Sequence, residues 1–143
     1  ITGARGEAAS GFPSVKRFAL PILRKYLNLG NSKDEAGTIA LLYLMGNVCD
    51  STTFHRSDIR TQQKLCSDIK KILTQKRTPA EKTAAAWQLD ALMQKQGLSA
   101  GGCADLLAVA WQVLFLENLW REPITESTQY AILSSALRPA ASF

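Results

Sequence analysis

Two stretches of this chain are apolar around a whole helical turn. Ile39 to Met45 are almost all apolar, and Leu106 to Leu116 are broken only by Gln112. A helix with no polar face belongs inside a core, shielded on every side. In a chain of 143 residues, five or six helices can barely enclose two such segments. The sequence therefore predicts covering partners, either a longer parent chain or a second copy. The opening Ile1-Thr2-Gly3, without an initiator Met, reads the same way, as a chain entered part-way along.

Helix signals fill the rest. Ser14 is placed to cap a first helix with a stripe at Val15, Phe18, Ala19, Ile22, Leu23, Tyr26 and Leu27, the 3–4 spacing of one buried face. Pro21 lies inside that stripe, removes a backbone donor and predicts a kink; Gly30 ends the helix. Ser32-Lys33-Asp34-Glu35 is a capping box opening a second helix to about Val48. A third spans Asp58 to Gln75, with apolar positions Ile59, Leu65, Cys66, Ile69, Ile72 and Leu73. Thr78-Pro79-Ala80-Glu81 is a second capping box with Pro at the first helical position, and that helix stops at Gly97. Gly101-Gly102 introduces a fifth helix, Cys103 to about Trp120, and a weaker sixth segment covers Ser127 to Leu137. No stretch alternates with period two for long enough to be a strand. The expected fold is all-α, a single bundle-like region over 1–143 with two central buried helices, forming part of a larger all-α domain.

Composition removes several classes. With 46% hydrophobic and 20% charged residues, the chain is neither disordered nor low in complexity. The run Leu106–Leu116 is short of the roughly 20 residues a membrane span needs, and no signal peptide opens the sequence; no membrane association is expected. Cys49, Cys66 and Cys103 are odd in number and lack any CxxC or His-paired spacing. That predicts neither a disulfide framework nor structural zinc, and a reducing cytoplasm. The net charge of +5 is concentrated between Arg56 and Arg77, where seven basic residues face only Asp58 and Asp68. Phe54 is the only aromatic nearby, too few for a nucleic-acid footprint. A solvated helix face, or a surface for anionic ligands, accounts for it.

Three polar clusters abut apolar sequence. Ala4-Arg5-Gly6-Glu7 through Pro13 reads as a glycine-punctuated turn before the first helix. Asp50 to Arg56, with the single His55, follows the buried second helix. Gly101-Gly102-Cys103-Ala104-Asp105 forms the entrance to the fifth. Free N–H groups at a helix entrance suit phosphate, and an acid there suits a metal or a base. Each cluster has a plainer reading: Asp105 complements the helix dipole, Asp50 caps a turn, and Glu7 pairs with Arg5. Walker, GxSxG, dinucleotide and HExxH signatures are absent.

The clusters nevertheless resemble one family in order. Ala4-Arg5-Gly6-Glu7-Ala8 with Gly11-Phe12-Pro13-Ser14-Val15 is similar to the ARGEAxxGFPxV signature of the triphosphoribosyl-dephospho-CoA synthase family. Leu41-Leu42-Tyr43-Leu44-Met45, followed by Asp50 and Arg56, resembles its LLYLM…DTNxxxRGG. Gly101 to Ala108 resembles its GGSADLLA. Ser51, Thr52, Ser57, Asp58 and Cys103 depart from those patterns. The family's N-terminal GLVDxxNxGAHxDM and NTHKG segments have no counterpart, so the resemblance is to the C-terminal half of such an enzyme.

The resemblance implies a transferase. The 2′-hydroxyl of 3′-dephospho-CoA attacks the ribose carbon of ATP that bears adenine, and adenine leaves. The product is the prosthetic-group precursor of citrate lyase or malonate decarboxylase. Such a glycosyl transfer wants a carboxylate near the anomeric carbon and cations for the triphosphate. The roles implied are catalytic for Glu7, Asp50 and Asp105, and phosphate-binding for Arg5, Arg56, Gly101 and Gly102. Asp105 also becomes a ligand for Mg²⁺. Partners implied are ATP, 3′-dephospho-CoA, the missing N-terminal half or a second copy, and a downstream acyl carrier protein. The alternative is a non-catalytic helical module that binds a nucleotide, or an acidic carrier protein on the Arg56–Arg77 face.

Overall fold

The computed structural model describes residues 3–48, 58–75, 77–121 and 134. The chain divides into two units, residues 1–112 and residues 113–143. In order the elements are α1 (Gly3–Ala9), a π-helical segment (Val15–Ala19), α2 (Leu20–Asn28), α3 (Lys33–Asn47), α4 (Ile59–Thr74), α5 (Pro79–Lys95) and α6 (Gly101–Arg121). No strand occurs among the described residues, and the fold is all-α as expected.

The predicted helix starts are realised by hydrogen bonds. Glu35 N donates to Ser32 Oγ at 3.1 Å while Ser32 N donates to Glu35 Oε2 at 3.4 Å. Thr78 and Glu81 repeat the pattern at 2.8 and 3.2 Å. Asp58 caps α4 by accepting from Thr61 N at 2.8 Å. Each cap satisfies amide donors that the first helical turn leaves without partners.

The start of the chain differs from its reading. The Arg5–Glu7 stretch is helical, forming α1, and the turn falls afterwards at Gly11 (φ +76°) and Phe12 (φ +57°). Ser14 does not cap the helix it precedes; its own backbone is already helical, and its hydroxyl points back to Glu7. Pro21 disrupts the helical ladder in a specific way. Leu20 N–H reaches back five residues to Val15 O, and the backbone stays helical through Ala19 and Leu20 into α2. The missing Pro21 N–H thus falls where the ladder shifts register from a five-residue to a four-residue reach.

α3 is the axis of residues 1–112. Ile39, Ala40 and Leu44 are fully buried, and α2, the π-helical segment, α4 and α5 all pack against this helix. At Gly46 the approach of α4 is close enough that a Cβ would stand 3.2 Å from Ile69 Cγ2. α4 buries Leu65, Cys66 and Ile69, but Ile59, in its first turn, lies 72% exposed. Its Arg60, Lys64, Lys70 and Lys71 face solvent.

α6 departs from expectation. It packs a stripe of Cys103, Leu106 and Ala110 inward, and Trp111 lies against Gly37 of α3. Ala104, Asp105, Ala108 and Gln112 are exposed, so this helix is covered on one side instead of all round. Its segment Gly101–Leu119, 19 residues with mean hydropathy 1.3, is also long and apolar enough to cross a membrane by length and composition. The uncharged run inside it is Leu106–Leu116, as read from the sequence, bounded by Asp105 and Glu117; the inward Cys103, Leu106 and Ala110 give that apolarity a core role. A second correction concerns cysteine. Cys66 is disulfide-bonded and Cys103 is buried outside any disulfide, so cysteine usage supplies no argument for a reducing compartment. Cys49, Asp50, His55, Arg56 and, apart from Ser134, the weaker sixth segment read over Ser127 to Leu137 lie outside the described residues.

Candidate functional site

Glu7 sits on α1 because the strained turn after that helix needs an anchor. Phe12 N donates to the Glu7 carbonyl at 2.7 Å. Ser14 N donates to Glu7 Oε2 at 3.0 Å and Ser14 Oγ to Oε1. A non-glycine residue with positive φ, such as Phe12, costs on the order of 1–3 kcal/mol and persists only where surroundings impose it. The Glu7 carboxylate and carbonyl supply that imposition. The expected pairing of Glu7 with Arg5 is replaced by these contacts with Ser14 and Phe12, and Arg5 is exposed.

At the other cluster, Ala104 N closes the first turn of α6 on Ala100 O at 2.9 Å. Gly101 N, expected to await phosphate, donates to Ser99 Oγ at 3.2 Å. A Cβ on Gly101 would meet only that Ser99 oxygen, at 3.6 Å, an ordinary contact. The fold itself therefore does not demand glycine at this position. Asp105, one turn on, is exposed and has no hydrogen-bond partner among the described residues. It stands on the opposite side of α6 from the buried stripe, with its carboxylate open to an incoming group.

The second and third family-like segments meet. Leu41 of α3 and Leu107 of α6 line one groove of about 340 Å³, with Lys33, Asp34, Thr38 and Trp111 on its walls. Leu41, Leu42 and Met45 share a second cavity of about 280 Å³ with Ser99 and Ala100, just ahead of the Gly-Gly pair. The Glu7 carboxylate is engaged by Ser14, and Gly101 N by Ser99 Oγ, each within its own segment. No group of three or more His, Cys, Asp or Glu side chains able to hold a metal occurs among the described residues.

One buried charge went unread in the sequence. Lys82 is 8% exposed, and its Nζ donates to Tyr26 Oη at 3.2 Å while lying 5.8 Å from the Tyr26 ring centroid. Its signal was available: Lys82, Ala85, Leu89 and Met93 share the inward stripe of α5. The contact ties α5 to α2 and has no carboxylate in it.

These features define an all-α chain with a glycine-opened helix and an unpartnered acid on its outer face. A family model described as ATP:dephospho-CoA triphosphoribosyl transferase matches residues 1–124, and the chain belongs to that family. It is 36% identical over 118 residues to a protein of Streptococcus equi subsp. zooepidemicus named as a probable 2-(5''-triphosphoribosyl)-3'-dephosphocoenzyme-A synthase. That match takes in 82% of this chain and 40% of the relative. A likewise-named protein of Streptococcus equi subsp. equi is 38% identical over 119 residues, with the same coverage. One from Streptococcus pyogenes serotype M18 is 34% identical over 119 residues, 83% of this chain and 40% of the relative. The chain thus spans about two-fifths of the length of these relatives. No solved structure matches it.

Proposed function

We propose that this chain carries part of the active site of a transferase joining ATP and 3′-dephospho-CoA into 2′-(5″-triphosphoribosyl)-3′-dephospho-CoA. One observation carries the reading: the Leu41–Met45 and Gly101–Ala108 segments meet at one groove, while Asp105 stays open on the outer side of α6. In the reaction the C–N bond between ribose and adenine breaks, and a C–O bond to the 2′-oxygen forms. The hydroxyl proton passes to a base, and adenine leaves protonated. A carboxylate facing the anomeric carbon stabilises its developing positive charge and takes that proton.

Asp105 is the group we assign to this work, or to a Mg²⁺ ion that neutralises the triphosphate. Gly101 and Gly102 leave room for phosphate at the α6 entrance, where the helix dipole favours an anion. Arg5 is free to reach phosphate oxygens. Glu7, Asp50 and Arg56 keep the roles implied by resemblance; for Glu7 this means a carboxylate that also holds a turn. Alanine at Glu7 is consequently a poor probe of chemistry, since it releases the Ser14 contacts as well. We place the enzyme in the cytoplasm, where ATP and dephospho-CoA are at hand. The acidic acyl carrier protein served downstream would meet the exposed Arg60, Lys64, Lys70 and Lys71 of α4. Those same lysines favour the second reading, a carrier-binding module without catalysis, which releases no adenine.

The test is adenine release from ATP and dephospho-CoA by a polypeptide of the relatives' full length that includes this sequence. Asp105→Asn should lower turnover by about 10²- to 10⁴-fold with an unchanged thermal midpoint, because the side chain is exposed. Wild-type turnover in that variant would remove Asp105 from the site.

A further inference from the structure

α5 has two apolar faces, and among the described residues one of them is buried. Lys82, Ala85, Leu89 and Met93 turn inward. On the other side Ala80, Ala84, Trp87 and Ala91 recur at spacings of four, three and four and are all exposed, which places them in one row along the helix. Trp87 is 70% exposed. No charge interrupts the row. A free indole of this size between small residues is unlike an ordinary solvated helix face, which carries charged residues opposite its core. Beside the row lies a groove of about 500 Å³, lined by Arg77, Glu81, Ala84 and Gln88 among others. Alanines let a second helix come close, Trp87 supplies the knob, and the groove takes side chains from the arriving element.

We infer that the outer row of α5 seats the part of the family enzyme that this chain does not match. About three-fifths of each relative's length lies outside the match, which is ample chain to supply an apolar helix. The proposal rests on the family reading above and adds where the two parts join. The row is self-complementary in size as well, so a second copy of this chain is the rival occupant that the experiment has to separate.

The experiment co-expresses this chain with a tagged polypeptide covering the unmatched part of the Streptococcus equi subsp. zooepidemicus relative, so that neither part has to fold alone. Co-purification and sedimentation velocity are the readouts. The expected result is a one-to-one complex that loses at least ten-fold in yield with Trp87→Glu and with Ala84→Glu. Asn28→Glu, on the exposed surface of α2, should leave it intact. Circular dichroism on the isolated chains checks that the variants still fold.

An undiminished complex with both row variants would overturn the inference. So would no complex at all, or a homodimer of this chain that the row variants dissolve. Adenine release is measured on the same samples. Release from a complex indifferent to Trp87 keeps the enzymatic reading and ends this proposal. A Trp87-dependent complex without release does the reverse.

Discussion

α3 and α6 have nearly the same character in sequence and opposite fates in the structure. Neither has a polar face, yet α3 buries eight of its fifteen residues, while only 22% of the apolar window of α6 is buried. The difference lies in what surrounds them. α3 has α2, the π-helical segment, α4 and α5 around it, whereas α6 rests Cys103, Leu106, Ala110 and Trp111 inward and leaves Ala104, Asp105, Ala108 and Gln112 open. Apolarity states what a helix needs, and neighbours decide whether it is met. The open side of α6 carries the residues of the family-like segment, so the helix least satisfied by this chain is the one proposed to take part in chemistry.

Truncating each helix at one large side chain gives the sharpest test of that contrast. Leu44 in α3 is wholly buried, and Phe115 in α6 is 63% exposed. Leu44→Ala should cost about 2–5 kcal/mol, as buried leucines do when the cavity cannot collapse. Phe115→Ala should stay within about 0.5 kcal/mol in the isolated chain. Urea unfolding of the two variants reads the difference directly from the midpoints at constant slope. Equal losses would mean that α6 is as well enclosed as α3, and the contrast would be void.

The glycines of the two helices repeat the comparison on a smaller scale. A methyl group on Gly46 would press on Ile69 across the α3–α4 contact, whereas one on Gly101 meets only Ser99 Oγ at ordinary distance. Gly46→Ala gains about 1 kcal/mol of helix propensity but loses about 1–3 kcal/mol to overpacking, and should destabilise. Gly101→Ala should be neutral or slightly stabilising, yet impair the full-length enzyme where phosphate has to approach the backbone. Thermal midpoints beside adenine release separate the two. A Gly101→Ala enzyme with normal turnover would leave that glycine without a role in either fold or site.

Much of this was legible beforehand. The helices from α2 to α6, both capping boxes and the burial of α3 follow from periodicity and cap chemistry, which act locally. The misses required tertiary information. Whether Ala4 to Ala9 coil or turn depends on Glu7 catching Ser14, a contact between residues seven apart. The form of the break at Pro21 depends on where the ladder can slip to a five-residue reach. One-sided cover of α6 depends on how many neighbours arrive, which no window of its own sequence contains. The site was legible only as ordered segments; that Leu41 and Leu107 share a groove, and that Asp105 turns away from it, came with the packing.

The smallest expected effect is acidic, and it bears on the walls around α3. α4 is one of those walls, and its start is held by Asp58. Hydrogen bonding from the Thr61 side chain, and then from the Thr61 backbone amide, keeps the Asp58 carboxyl below its ordinary value, against a minor opposing effect of burial. A carboxylate whose folded value is depressed adds stability that is complete above its unfolded value, near about pH 4. That stability fades as pH falls through the lower folded value. Between pH 6 and pH 3 the wild-type chain should therefore lose slightly more thermal stability than Asp58→Asn, whose amide oxygen still caps but cannot titrate. The side chain is fully exposed, so water and salt screen the effect, and a shift of a degree or so is the expected scale. Parallel acid profiles for the two proteins would show that the start of α4 contributes nothing pH-dependent to the enclosure of α3. A steeper loss in the wild type, with the amides of α4 exchanging before those of α3, would show the wall loosening first and the axis holding after it.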